Sequence, residues 1–179
     1  MGPVNHLEQA VLDLERHSAQ QGWDAAPGLF ALVRSGTLRS AEPGLAAQLP
    51  ADADALVPVE QEALPEPDDL EKALATIVWP DTVEGCALVV ERVILPPDAE
   101  ADLPDDPAEA EAYVGSHPAR EDVRMVIAVL RDGSRHCAIR MRSHDSDDAV
   151  LTGPDLVRHL PDALAATFEP DEPGDAPER

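Results

Sequence analysis

Aromatic residues are almost missing from this chain: Trp23, Trp79, Phe30, Phe168 and Tyr113 are the five among 179 residues. A core without them is aliphatic, built chiefly from Leu, Val and Ala. Lysine is scarcer still, with Lys72 alone beside twelve arginines, against 36 Asp and Glu. The resulting net charge of −23 repels nucleic acid and anionic membrane surfaces, so neither is expected as a partner. Cysteine is limited to Cys86 and Cys137, both inside apolar strand-like runs. That placement predicts two buried free thiols rather than a disulfide. The N-terminal MGPVNHLEQAV lacks a basic segment followed by an apolar one, so no secretory signal is expected. No apolar run approaches the length needed to span a bilayer. These absences together predict a soluble cytoplasmic protein.

Signature motifs are missing as well. The chain has no Gly-rich phosphate loop, nucleophile elbow, zinc-protease helix or CxxC, and no serine stands in a recognisable nucleophile context. His136 and His144, with Asp145, Asp147 and Asp148, form the only cluster of metal-ligand residue types. Their spacing matches no metal pattern, and HDSDD reads as a solvated turn. Cys137 beside His136 suggests a thiol and its base, but neighbouring strand residues point to opposite faces. No catalytic residue, metal or cofactor is therefore assigned.

What is present is a hairpin. In Asp122–Arg142, DVRMVIAVLRDGSRHCAIRMR, apolar residues alternate as Val123, Met125, Ile127 and Val129 on one arm. Cys137, Ile139 and Met141 alternate on the other, as strands with one buried face require. Asp132-Gly133 marks the turn. A two-residue loop would put the apolar sets on opposite faces. A three-residue loop, Arg131-Asp132-Gly133 with Gly133 left-handed, pairs Leu130 with Ser134, Ile127 with Cys137 and Met125 with Ile139. Both sets then share a face, which fixes the register.

That register aligns Arg124 with Arg140, Val126 with Ala138 and Ala128 with His136 on the opposite face. Like charges so placed repel, which calls for nearby acids; Asp122, opposite Arg142, is one. Residues 120 to 142 carry six basic residues against three acidic ones. The plain reading is that these arginines pair with the chain's own acids. The sharper one is that Arg124, Val126, His136, Arg140 and Arg142 form a binding face for an acidic or extended polypeptide, with the acidic tail as competitor.

Around the hairpin, Asn5 and Glu8 suit a helix cap, and Val4, Leu7, Val11 and Leu14 form an amphipathic stripe that ends at Gly22. Leu29–Arg34 is a short strand followed by a turn at Ser35-Gly36, and Glu42–Gln48 suits a helical turn or two. Ala55–Gln61 has strand character, placed at a sheet edge by Pro58. A helix is predicted from Asp68 to Val78. Gly85–Leu95, nearly all apolar, suits a central strand covered on both sides. Pro96–Asp106 is an exposed loop, and Asp106-Pro107-Ala108-Glu109 opens a further helix closed by Gly115. Pro154 opens a last helix carrying Leu156, Val157, Leu160, Leu164 and Phe168, kinked or split at Pro161. The order predicts an α+β fold, a mainly antiparallel sheet with flanking helices. One domain spans 1–168, and 169–179 is an acidic, Pro-rich disordered tail.

Several of these stretches carry a family resemblance: ERHSAQQGWDAAPGLFALV, VEQEALP, IVWPDTVEGCALVVERVILPP and HPAREDVRMVIAVLRDGSRHCAIRMR. Over Leu7–Phe168 the chain resembles an uncharacterised family of small actinobacterial proteins described as secretion-chaperone-like. The resemblance implies a five-stranded type III secretion chaperone-like fold, ordered helix, three strands, helix, two strands, helix, with Asp68–Val78 as an insertion. It implies a cytoplasmic, non-enzymatic protein that holds or presents a polypeptide, with a homodimer as a compatible state. It supplies no catalytic residues. Two other readings compete: a regulatory domain binding a small anion through Arg124 and Arg140, and a small metal-dependent hydrolase using His136 and His144.

Overall fold

Six antiparallel strands form one sheet in the order β2-β1-β3-β4-β5-β6, in a computed structural model that describes residues 5–61, 74, 77–157 and 160–168. The strands are β1 (Gly28–Arg34), β2 (Leu56–Glu60), β3 (Val83–Ile94), β4 (Glu121–Leu130), β5 (Arg135–Met141) and β6 (Leu151–Gly153). The helices are α1 (His6–Gln21), α2 (Ser35–Ala41), α3 (Pro107–Ser116) and α4 (Leu160–Ala166).

α1 starts where Asn5 caps it, the side chain accepting from the Glu8 N–H at 3.1 Å, and ends at Gly22, whose φ of +90° suits glycine. Its stripe of Leu7, Ala10, Val11 and Leu14 is buried on one sheet face against Leu32, Ala87, Val126, Ala128 and Ala138. The alanines of β3, β4 and β5 leave room for the helix to approach closely. Each fully buried Leu or Val of the stripe contributes about 1.5–3 kcal/mol, so the helix is held by packing more than by propensity. The other face is built from larger residues. Leu29, Cys86, Leu88, Val90, Ile127, Val129 and Cys137 pack there with Leu74, Leu160 and Leu164. Helical cover thus lies on both faces.

The hairpin has the predicted register: Ile127 faces Cys137, Met125 faces Ile139 and Arg124 faces Arg140. Its turn closes through Leu130 N–H to Ser134 O (2.8 Å) and Gly133 N–H to Leu130 O (3.0 Å), with Gly133 at φ +92°. β3 lies centrally between β1 and β4, and β2 lies at the edge. The Gln61 N–H reaches Leu29 O, so the odd residues of β2 bond inward and Pro58 faces out, where its missing N–H is harmless. A bulge shifts the β1–β3 register between Leu32 and Val33, leaving Glu84 as the extra residue beside Gly85.

Five expectations are corrected. The sheet has six strands, not five; β6 covers three residues, too few to show alternation. Ser35-Gly36 begins α2 rather than a turn. The acidic loop after Pro96 contains a helical turn, Pro97–Glu100. Ser116, not Gly115, is the last residue of α3, which Asp106 caps as predicted. The last helix does not open at Pro154, since residues 154–157 are turn and bend; it is α4, Leu160–Ala166, with Pro161 near its start, where a proline costs little. The helix expected over Asp68–Val78 lies outside the described residues apart from 74, 77 and 78, and the tail at 169–179 lies outside them altogether.

Candidate functional site

The arginine-bearing face of the hairpin lies under α1 and the Gly22–Ala25 segment that follows it. Arg124 and Arg140 are each 2 % exposed. The spacing of α1 explains what they meet. Glu15 stands four residues after Val11, on the apolar stripe, and is itself 2 % exposed. Its carboxylate accepts from Arg140 Nε at 3.0 and 3.1 Å and from Nη2 at 2.6 Å. Arg140 also donates to Asp145 (3.0 Å) and Asp147 (2.5 Å). The Glu15 bond, joined by those to Asp147 and Asp145, raises the Arg140 pKa against the opposing effect of burial. The HDSDD stretch, expected to be only a solvated turn, therefore supplies two counter-charges to a buried arginine.

Trp23 stands between the arginines. Its ring centroid is 4.4 Å from the Arg124 guanidinium carbon and 5.5 Å from that of Arg142, cation–π distances. Its Nε1–H donates to Asp145 at 3.0 Å. That bond, with lesser help from Arg140, holds the Asp145 carboxyl below its ordinary range. Asp24, at φ +65°, directs its carboxylate onto Arg142 at 3.1 and 3.2 Å. Asp122 lies 4.0 Å from the same guanidinium. The Asp24 bond raises the Arg142 pKa. Glu91 on β3 fixes the segment's backbone by accepting from the N–H groups of Asp24 (2.8 Å) and Ala25 (2.6 Å).

Arg124 differs from the other two. It donates from Nη2 to the Gly22 carbonyl and stacks on Trp23, but no carboxylate lies within salt-bridge distance among the described residues. Its Nη1 is buried with no hydrogen-bond partner among them. Arg124 lines a cavity of about 190 Å³ between the end of α1, the start of β1 and the far half of β3. Phe30, Val89 and Pro27 give that cavity apolar walls, and Ser18, Gln61 and the acidic Glu60 and Glu91 add polar ones.

The remaining sequence candidates scatter. Val126 is buried beneath α1. His136 faces Ala128 across the hairpin, and its Nε2 is buried without a partner among the described residues. His144 sits in a helical turn, 2.9 Å from Ser143 Oγ. Cys137 packs in the core of the opposite face from His136, so the two side chains diverge as predicted. Both thiols are free and buried, and burial pushes Cys86 up to about 12 despite its contact with Thr167. Among the described residues no three His, Cys, Asp or Glu converge as a metal site. Sequence reasoning passed over Glu15, Trp23, Asp24 and Glu91. Glu15 alone carried a local signal, a charge on the buried stripe of an amphipathic helix.

The family model described as PPA1309-like protein matches residues 7–169. The chain belongs to this family. No curated protein matches the chain, and no solved structure does. No helix among its described residues is long and apolar enough to cross a membrane. Family membership adds no functional residue to those placed by the geometry.

Proposed function

We propose that this protein is a non-enzymatic cytoplasmic binding protein that holds a polypeptide partner. One observation carries the reading: the sheet ends in a step. β1 begins at Gly28, opposite Val89, whereas β3 continues paired on β4 to Ile94. Among the described residues, the far half of β3 therefore has no strand on its β1 side. Val93 and Ile94 there are 42 % and 39 % exposed. An extended peptide can pair with such an edge through its backbone and use neighbouring pockets for its side chains. The outer edge of β2 is a poorer platform, because Pro58 removes the N–H that a partner strand would meet.

Kinship with type III secretion chaperones belongs to the same proposal. It rests on the sequence resemblance and on the order α1, three strands, α3, two strands, α4, to which α2 and β6 are added. A homodimer would place a second copy at the step.

The experiment is site-specific crosslinking. A photoreactive benzoylphenylalanine at Val93 is expected to capture a discrete polypeptide in cells that make the protein natively. The same group at Val59 on β2 is the comparison. A self-adduct would identify the partner as a second copy. Absence of any adduct at Val93, or equal capture at Val59, would remove the reading.

A further inference from the structure

The step in the sheet has a chemistry of its own. The Arg131 N–H bonds Glu84 O, and the β3–β4 register runs without a shift to Ile94. Even-numbered residues of β3 therefore bond β4, and the N–H and C=O of Glu91 and Val93 point to the vacant side. β1 pairs no further than Val89, and no backbone group among the described residues bonds those of Glu91 and Val93.

The two faces of this edge differ. Val93 and Glu91 share the α1 face with Val89, since alternate strand residues point the same way. Asp122 stands opposite Val93 on that face, and Asp24 reaches it to hold Arg142. Arg124, opposite Glu91, is buried. The other face carries Arg92 and Ile94, both exposed. Past the strand, Pro96–Asp106 adds five acids and no base.

We propose that the step takes an extended segment of another protein in which basic and apolar residues alternate. The bases lie on the α1 face, where Asp122 and Glu91 meet them. The apolar residues lie beside Ile94, on the face where Arg92 repels a second row of bases. A second copy does not suit this edge. A twofold pairing sets the same surface against itself, so it brings acids to acids, and each chain carries a net charge of −23. The inference rests on the polypeptide reading and names the chemistry of the partner at the same step.

The test uses the full-length protein, isotopically labelled, with three capped pentapeptides as probes. They alternate lysine with valine, glutamate with valine, and lysine with serine. The lysine–valine peptide is expected to shift the Val93 and Ile94 amides saturably, and to bind about tenfold or more tightly than either of the others. Val93→Pro removes the outward N–H without breaking the β4 ladder. It is expected to abolish the Ile94 shift while the Arg140 Nε–H signal keeps its position, reporting an intact fold. Equal binding of the glutamate peptide would overturn the charge preference, and equal binding of the serine peptide would overturn the apolar row. Shifts spread over the acidic surface without Val93 and Ile94, or an Ile94 shift retained in Val93→Pro, would overturn the location. The comparison among peptides needs no variant.

Crosslinking from Val93 separates this inference from the reading beneath it. Capture of a basic, alternating segment supports both. Capture of an acidic segment or of a second copy overturns the inference while the polypeptide reading stands. No capture, with the lysine–valine peptide still bound at Val93, removes the polypeptide reading and leaves the preference of the edge in place.

Discussion

Glu15 on α1 and Arg140 on β5, 125 positions apart in the sequence, meet as a buried pair in which Arg140 Nη2 lies 2.6 Å from the carboxylate. This pair ties the first helix to the fifth strand, and Asp145 and Asp147 complete the charge around it.

Removing one partner of a buried ion pair is more damaging than removing both. Glu15→Leu leaves Arg140 with only the two outer aspartates and is expected to lose about 3 kcal/mol. Glu15→Leu combined with Arg140→Leu is expected to recover at least half of that loss. Urea denaturation of the two variants and the parent provides the comparison. A double variant less stable than Glu15→Leu would contradict it.

Gly85 lies beside the bulge on the central strand. A Cβ built there would stand 2.4 Å from the Val129 carbonyl oxygen and 2.6 Å from Leu130 Cδ2. The first contact is with the backbone of β4, which cannot rotate aside. Gly85→Ala is expected to cost about 1–3 kcal/mol, whereas Gly44→Ala, with nothing in reach of its Cβ, serves as the neutral comparison. Thermal unfolding of both reports the difference.

Cys86 and Cys137 are held protonated by burial, Cys86 up to about 12. A raised thiol pKa stabilises the fold fully below the unfolded thiol value of about 8.5. The contribution is lost as pH rises from there through the folded value. Neither thiol is expected to react with a disulfide reagent on mixing at pH 8, and both are expected to react in denaturant. Rapid labelling of the native protein would contradict the burial.

Asp145 behaves in the opposite sense. The Trp23 N–H and then Arg140 hold its carboxyl below the ordinary aspartate range. Its contribution is therefore present above the unfolded value of about 3.9 and is lost as pH falls through the lower folded value. The Trp23 indole N–H resonance is expected to hold its position down to about pH 4 and to move below it. The Trp79 indole, bonded to the Thr167 hydroxyl at 2.8 Å, gives an internal reference that does not titrate. In Asp145→Ala the Trp23 signal is expected to start at its acid position. A Trp23 signal that moved near pH 6 would show that another group governs it.

Local chemistry determined much of this protein. Period-two alternation and Asp132-Gly133 specified the hairpin register, because a one-residue slip would turn the apolar set to the wrong face. Asn5, Asp106 and Pro107 marked two helix starts through backbone hydrogen-bonding needs that any fold must meet. Pro58 marked an edge strand because it lacks the N–H of an interior one. β6 was illegible, since three residues cannot display a period, and the helix at Ser35 was hidden behind a Ser-Gly pair that also suits a turn.

The arginine row was legible as a row, and its meaning was not. Sequence placed Arg124 and Arg140 on one face and called for acids nearby. Only the tertiary structure decided that α1 covers that face, that Glu15 and the HDSDD aspartates neutralise Arg140, and that Arg124 has no carboxylate within salt-bridge distance among the described residues. Strand register is set by neighbours a few residues away, whereas charge pairing here joins positions up to 125 apart. Which carboxylate reaches which guanidinium depends on how helix and sheet pack, and no local pattern encodes that.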